Sequence, residues 1–218
     1  KKRILISGSK GFVGRALISI LPSDLYDVSQ IKSSQDLDLC DLRTVVDLPN
    51  ADIIVHLASK SYVPDSFTNP EKFYRNNFLS TLNLLEKAKK NNSKFIFVST
   101  YVYGRPSYLP IDENHPTSPL NPYTQSKLIC EELCNSYARD FGIDVIIIRP
   151  FNIYGPGQNS SFLIPTILNQ NILIPLEAGE SLNLVLLDGT IKTLHRGTSN
   201  NINKITFDEI NWISLLWI

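Results

Sequence analysis

The chain has 218 residues, enough to bury one substantial core, and its 21 basic residues balance its 21 acidic ones. No Lys/Arg run is long enough for a nucleic-acid arm or a basic membrane patch, and no apolar run reaches the ~18 residues of a membrane span. The three cysteines are too few for a disulfide framework and the start shows no signal-peptide pattern, so a reducing, cytoplasmic setting is expected.

Short apolar runs alternate with longer amphipathic segments. Strands are predicted at 3–7, 26–31, 37–40, 53–57, 95–99 and 145–149, and helices at 12–21, 71–91 and 123–141. The first strand runs into three glycines at three-residue spacing, Gly8, Gly11 and Gly14, and then into a helix. In that context a glycine loop binds a pyrophosphate. Gly8 makes the tight turn, Gly11 admits phosphate to the backbone, and Gly14 lets helix and strand pack closely. Phe12 and Val13, between them, offer N–H groups at the helix start to the anion. Three glycines alone equally suit an ordinary strand-to-helix turn. The β/α rhythm predicts an α/β protein with a doubly wound parallel sheet, whose strand C-termini share one ligand-binding edge. Residues 106–122 hold five prolines and read as a loop. The rhythm fades after Asn169. Residues 1–169 are therefore read as a dinucleotide-binding domain, and 170–218 as an atypical tail of unassigned architecture.

Ser99 ends the fifth predicted strand and belongs at the ligand edge. Tyr123 opens a helix, and Lys127 lies one turn on, on the same face. Tyrosine is a poor base at pH 7, with an ordinary pKa of about 10. A neighbouring ammonium, with a bound positive nicotinamide, is expected to lower that value and let Tyr123 take a proton from a hydroxyl, with Ser99 holding the same oxygen in line. Two other features are read more plainly. His56 is expected to be a packed histidine at a strand end. Cys130 and Cys134, four apart on a helix with no nearby partner pair, are expected to be reduced thiols, and no metal site is expected.

Together these motifs resemble the extended short-chain dehydrogenase/reductases, specifically the NAD-dependent epimerase/dehydratase family. The resemblance spans about 2–168. It rests on the glycines, Asp41-Leu42, His56-Leu-Ala-Ser59, Asn77 in Asn-x-x-Ser-Thr, Ser99-Thr-Tyr-Val-Tyr-Gly104, Tyr123-x-x-x-Lys127 and Arg149-Pro-Phe-Asn-Ile-Tyr-Gly-Pro156. It implies a Rossmann-like fold, a catalytic Ser99-Tyr123-Lys127 triad, and a nucleotide-sugar epimerase or 4-keto-sugar reductase. It places Asp41 and Leu42 at the adenine, and Leu57, Ala58, Ser59 and Asn77 along the cofactor. Lys127 falls at the nicotinamide ribose, Pro150 and Phe151 beside the nicotinamide, and Thr100 and Asn152 on the substrate side. Asn152 is equally readable as a turn residue. Dehydratases of the family carry acids where Thr100 and Tyr101 stand, which argues against sugar dehydration.

The cofactor is NAD or NADP. Lys32, with Ser33 and Ser34, suits a 2′-phosphate and tilts the choice to NADP. The partners expected are a nucleotide sugar and, as an open alternative to a monomer, a second copy of the chain; no nucleic acid or membrane is expected. Relatives continue well past Asn169 with a substrate lid. A truncation or frame change would explain the tail, and a cofactor-binding remnant without turnover is the alternative function. The tail is expected to leave the sixth strand an exposed apolar edge, with Trp212, Leu215, Leu216, Trp217 and Ile218 adding apolar surface.

Overall fold

The computed structural model describes residues 1–31 and 37–166, and the backbone of 167–169, 181–186, 191–195 and 213–214. Lys32, Ser33, Ser34 and the tail residues Trp212 and Leu215 to Ile218, on which expectations were placed, lie outside the described residues. The chain divides into two compact units, 1–150 and 151–218; the boundary read from the sequence was 169/170.

The first unit is Rossmann-like. Strands β1 (Lys2–Ser7), β2 (Tyr26–Ile31), β3 (Ile53–His56), β4 (Lys94–Val98) and β5 (Val145–Ile148) form a parallel sheet in the order β2-β1-β3-β4-β5. Ser7 is in register with both Ile31 and His56. The strand C-termini therefore share one edge, from which the glycine loop, Leu57 to Ser59, Ser99 and Arg149-Pro150 all emerge.

Alternation along β1 sends Ile4 and Ile6 to one face and Leu5 to the other. On the first face, Ile4, Ile6 and Val55 pack with Leu17 and Ile18 of helix α1 (Phe12–Ile20). On the second, Leu5, Ile54, Phe95 and Phe97 pack under α4 (Pro70–Asn91) and α5 (Pro122–Phe141). There Leu84, Leu85, Ala88, Cys130 and Cys134 are fully buried.

Local chemistry sets the ends of the long helices. Pro70 and Glu71 open α4, Lys89 and Lys90 face its C-terminal dipole, and Asn92 ends it with φ 53°. A reciprocal pair opens α5: Asn121 Oδ1 accepts from Thr124 N at 2.9 Å, and Thr124 Oγ1 accepts from Asn121 N at 3.3 Å. Pro122 thus begins the helix rather than closing the loop.

The strand expected at 37–40 does not form. Asp38 takes the Cys40 N–H on its own carboxylate at 2.9 Å, which makes a turn, and buried Asn83 of α4 donates to Leu39 O at 2.8 Å. Two short helices were not foreseen: α2 (Leu42–Val46) and α3 (Val63–Thr68).

The second unit contains β6 (Ile153–Tyr154), α6 (Leu163–Asn169), β7 (Ser181–Leu186), β8 (Ile191–His195) and β9 (Ile213–Ser214). Its strands are antiparallel in the order β6-β9-β7-β8. In the first unit, Ile146 and Ile148 of edge strand β5 are exposed. No helix among the described residues is long and apolar enough to cross a membrane.

Candidate active site

The glycine loop is tied down at both sides. Ser9 Oγ donates to Ile31 O at 3.1 Å, and Leu57 N donates to Ser7 O at 3.2 Å. Gly8 sits at φ +72°, and a Cβ there would lie 2.8 Å from Ala58 N. A Cβ on Gly14 would lie 2.3 Å from Gly8 O. Gly11 is the N-cap of α1, where no side chain caps the helix and no acid occupies the first turn. Phe12 and Val13 form the first turn of α1.

Beside the loop runs a cleft of about 210 Å³, lined by Gly8, Ala58, Ser59 and Asn77 among the residues foreseen. It is also lined by Asp38, Leu39 and Cys40. Asp41 and Leu42, expected at the adenine, are not in it. Asp41 caps α2 through Arg43 N at 3.0 Å and pairs with the Arg43 guanidinium at 2.7 Å, which holds its carboxyl below the usual range. Leu42 is exposed. The missed residues, Asp38-Leu39, are the same dipeptide three positions earlier. Only the turn at Cys40 tells the two pairs apart.

His56 is a packed residue, as expected. Thr81 gives its one hydroxyl proton to Asn77 O at 2.7 Å, so at 3.2 Å it accepts from His56 Nε2–H. Nδ1 is then the acceptor and takes the Ser7 Oγ proton at 2.7 Å, while Ser7 Oγ accepts from Ala58 N at 3.2 Å. Burial, and then the Lys127 charge, push the His56 pKa down to about 3, so the ring is neutral.

Asn77 uses both ends of its amide. It accepts from Lys60 N at 2.8 Å and donates to Ser126 Oγ at 2.9 Å. It lines the cleft while clamping the loop after β3 to α5.

At the end of β4, Ser99 is only 4% exposed, and its Oγ has no hydrogen-bond partner among the described residues. Thr100, the next residue, is close enough to the Tyr123 phenol to favour its ionised form. Lys127 is buried with Nζ 4.1 Å from the centroid of the Phe97 ring, two residues before Ser99. The structure therefore brings Tyr123 and Lys127 to the strand end that carries Ser99. Burial pushes the Lys127 pKa down to about 8, with Cys130, Cys134 and Glu131 opposing.

Burial holds the Tyr123 phenol above its ordinary value, and Thr100 opposes this, so in the ligand-free chain the phenol keeps its proton at neutral pH. Pro150 ends the first unit. Phe151 and the exposed Asn152 begin the second. Among the described residues no group of three or more His, Cys, Asp or Glu side chains is arranged to hold a metal ion.

A family model, the NAD dependent epimerase/dehydratase family, matches residues 4–190. The chain belongs to that family. It is 31% identical over 216 residues to a putative UDP-glucose 4-epimerase of Methanocaldococcus jannaschii, covering 87% of this chain and 71% of the relative. It is 36% identical over 176 residues to the GDP-6-deoxy-D-mannose reductase of Pseudomonas aeruginosa, covering 78% of this chain but only 58% of the relative.

Two solved structures share the fold. The RMD protein of Pseudomonas aeruginosa, complexed with NADPH, matches with a TM-score of 0.70 at 35% identity, over 78% of this chain and 61% of that one. A UDP-glucose 4-epimerase of Brucella ovis, in complex with NAD, matches with a TM-score of 0.71 at 27% identity, over 82% and 64%.

Proposed function

We propose that the chain is a NAD(P)-dependent nucleotide-sugar epimerase or 4-keto-sugar reductase acting by hydride transfer. The observation that carries this reading is Ser99. Its buried, unpartnered hydroxyl stands at the ligand edge of the sheet, one residue before the Thr100 that engages Tyr123. A buried hydroxyl without a partner costs free energy, so a ligand oxygen is its natural complement.

The residues present fit a dinucleotide. Gly8 lets the loop pack directly on the backbone of Leu57 and Ala58, no acid occupies the first turn of α1, and the adjoining cleft reaches Asp38. The glycine loop would hold the pyrophosphate, the cleft the adenosine, and Lys127 the nicotinamide ribose. Bound there, the nicotinamide supplies a hydride donor or acceptor. Ser99 then holds the reacting oxygen of the sugar. Tyr123, protonated at neutral pH, gives that oxygen its proton in the reductive direction and recovers it in the reverse.

Thr100 and Asn152 are read as substrate contacts. Relatives include a dTDP-D-glucose 4,6-dehydratase, but dehydration lacks its acids here. Thr100 and Tyr101 stand where the acids would be, and Tyr101 Oη donates to Gly104 O at 2.7 Å.

The test is a turnover screen of UDP-, GDP- and dTDP-linked sugars with NAD and NADP in both redox states. Expected is interconversion or reduction of at least one sugar by the wild-type chain and none by Ser99→Ala. Cofactor binding without turnover of any sugar would favour the second reading, a binding protein. No cofactor binding at all would reject both.

A further inference from the structure

A second charged constellation lies on the same helix as Tyr123 and Lys127. Glu131, one turn beyond Lys127 on α5, is 1% exposed. Arg149, the residue after β5, grips it with two nitrogens: Nε lies 3.0 Å and Nη2 2.6 Å from Oε2. The remaining nitrogen, Nη1, donates to Tyr103 Oη at 3.2 Å and to Glu113 O at 3.4 Å. The guanidinium also lies 5.2 Å from the Tyr103 ring centroid. One ion pair thus joins three segments: α5, the chain entering Pro150, and the loop that begins with Ser99 and Thr100.

A buried pair of this kind is a poor source of stability. Desolvation offsets most of its Coulomb attraction, and well-packed apolar replacements are often as stable or more so. Its geometric consequence is specific, because the two-pronged grip fixes direction as well as distance. Its charge also has an addressee. Lys127 is surrounded by Phe97 and neutral His56 from the sheet side and by Cys130, Cys134 and Glu131 on its own helix. Of these, Glu131 is the carboxylate, itself paired to Arg149.

We propose that the Glu131–Arg149 pair is a positioning element of the hydride-transfer site, with Glu131 sustaining the charged form of Lys127 and Arg149 holding the Ser99–Glu113 loop in register with α5. This rests on the cofactor reading given above.

The experiment follows NAD(P)H binding by fluorescence from pH 6.5 to 10, together with kcat and KM. Wild-type binding weakens with a midpoint near the Lys127 value of about 8. In Glu131→Gln the midpoint falls by about half a unit or more, because a favourable charge is gone and Arg149 stands unopposed. Arg149→Lys keeps charge but loses the fork. It leaves the midpoint in place while kcat drops roughly tenfold, as misplacement predicts. If Glu131→Gln does not fold, the double variant Glu131→Met, Arg149→Leu replaces the pair with apolar side chains and shows a smaller downward shift, because Glu131 is gone but no unopposed cation remains. A merely structural role lowers the melting temperature and leaves the midpoint unchanged, and that result overturns the proposal alone. No binding by the wild-type chain overturns the cofactor reading and this proposal with it.

Discussion

Asn77, buried in the middle of α4, donates to Ser126 on α5 at 2.9 Å, one residue before Lys127. The same amide accepts from Lys60 N at 2.8 Å, so the loop lining the cleft and the helix carrying Tyr123 share one anchor. Replacing Asn77 with Leu orphans the Lys60 N–H and removes the donor to Ser126 Oγ, which keeps its own bond to Tyr123 O at 2.7 Å. The expected loss is about 1–3 kcal/mol in urea unfolding, together with weaker NAD(P)H binding. Wild-type stability in Asn77→Leu would show that the anchor is incidental.

The glycines make a graded prediction. A Cβ at Gly14 meets backbone at 2.3 Å and 2.8 Å, and backbone cannot swing aside. Gly14→Ala should cost about 2 kcal/mol or more and abolish cofactor binding. Gly142 ends α5 at φ +69° with nothing within 4 Å of a Cβ. Gly142→Ala should cost only the left-handed strain, about 1 kcal/mol, and leave binding intact. Equal losses measured by thermal and chemical unfolding would contradict the packing argument.

Much of this was legible in the sequence because periodicity and glycine placement act locally. Five of the six strands and all three long helices follow from apolar runs and their spacing. Residues 37–40 were misread because Leu37 and Leu39 alternate like a strand. What turns the chain is a side-chain bond from Asp38 to Cys40 N, and apolar periodicity carries no record of it. The protonation of the ligand-free Tyr123 phenol is not legible in the sequence for a different reason. Tyr-x-x-x-Lys fixes a shared face, but the balance between a nearby charge and desolvation depends on burial, which tertiary packing decides. The capping pair Asn121-x-x-Thr124 is a local sequence signal for the start of α5.

His56 gives the protein an acid-sensitive core. Its folded pKa, near 3, lies below the unfolded value of about 6.5. Between those values the unfolded chain binds a proton that the native ring refuses, so stability falls as pH drops from 6.5 toward 3. Between pH 6.5 and pH 5 the wild-type chain should lose about 2 kcal/mol more than His56→Gln, at roughly 1.4 kcal/mol per unit. Parallel urea-derived stability curves for the two proteins would sink this account.

Tyr123→Phe removes only the phenolic oxygen. It should lower turnover about 10²–10⁴-fold while leaving NAD(P)H affinity close to wild type. The raised pKa adds direction: in the absence of ligand, a tyrosinate absorbance should not develop for this residue until above pH 10. A difference titration of wild type against Tyr123→Phe reads it, and ionisation at neutral pH would overturn the assignment of the resting phenol as an acid.

Lys127 sets stability and binding against each other. Burial lowers its folded pKa to about 8, against about 10.4 in the unfolded chain. Below pH 8 both states carry the charge and the native state bears the full desolvation cost. Between pH 8 and 10.4 the unfolded chain holds a proton that the native one has released, so this group makes the ligand-free protein more stable as pH rises. The same deprotonation removes the ammonium proposed to hold the nicotinamide ribose, so cofactor affinity should fall over the same interval. Lys127→Met should therefore flatten both curves, being more stable than wild type at pH 7 and binding NAD(P)H weakly at every pH. A variant that loses affinity but keeps the wild-type pH dependence of stability would place the titrating group elsewhere.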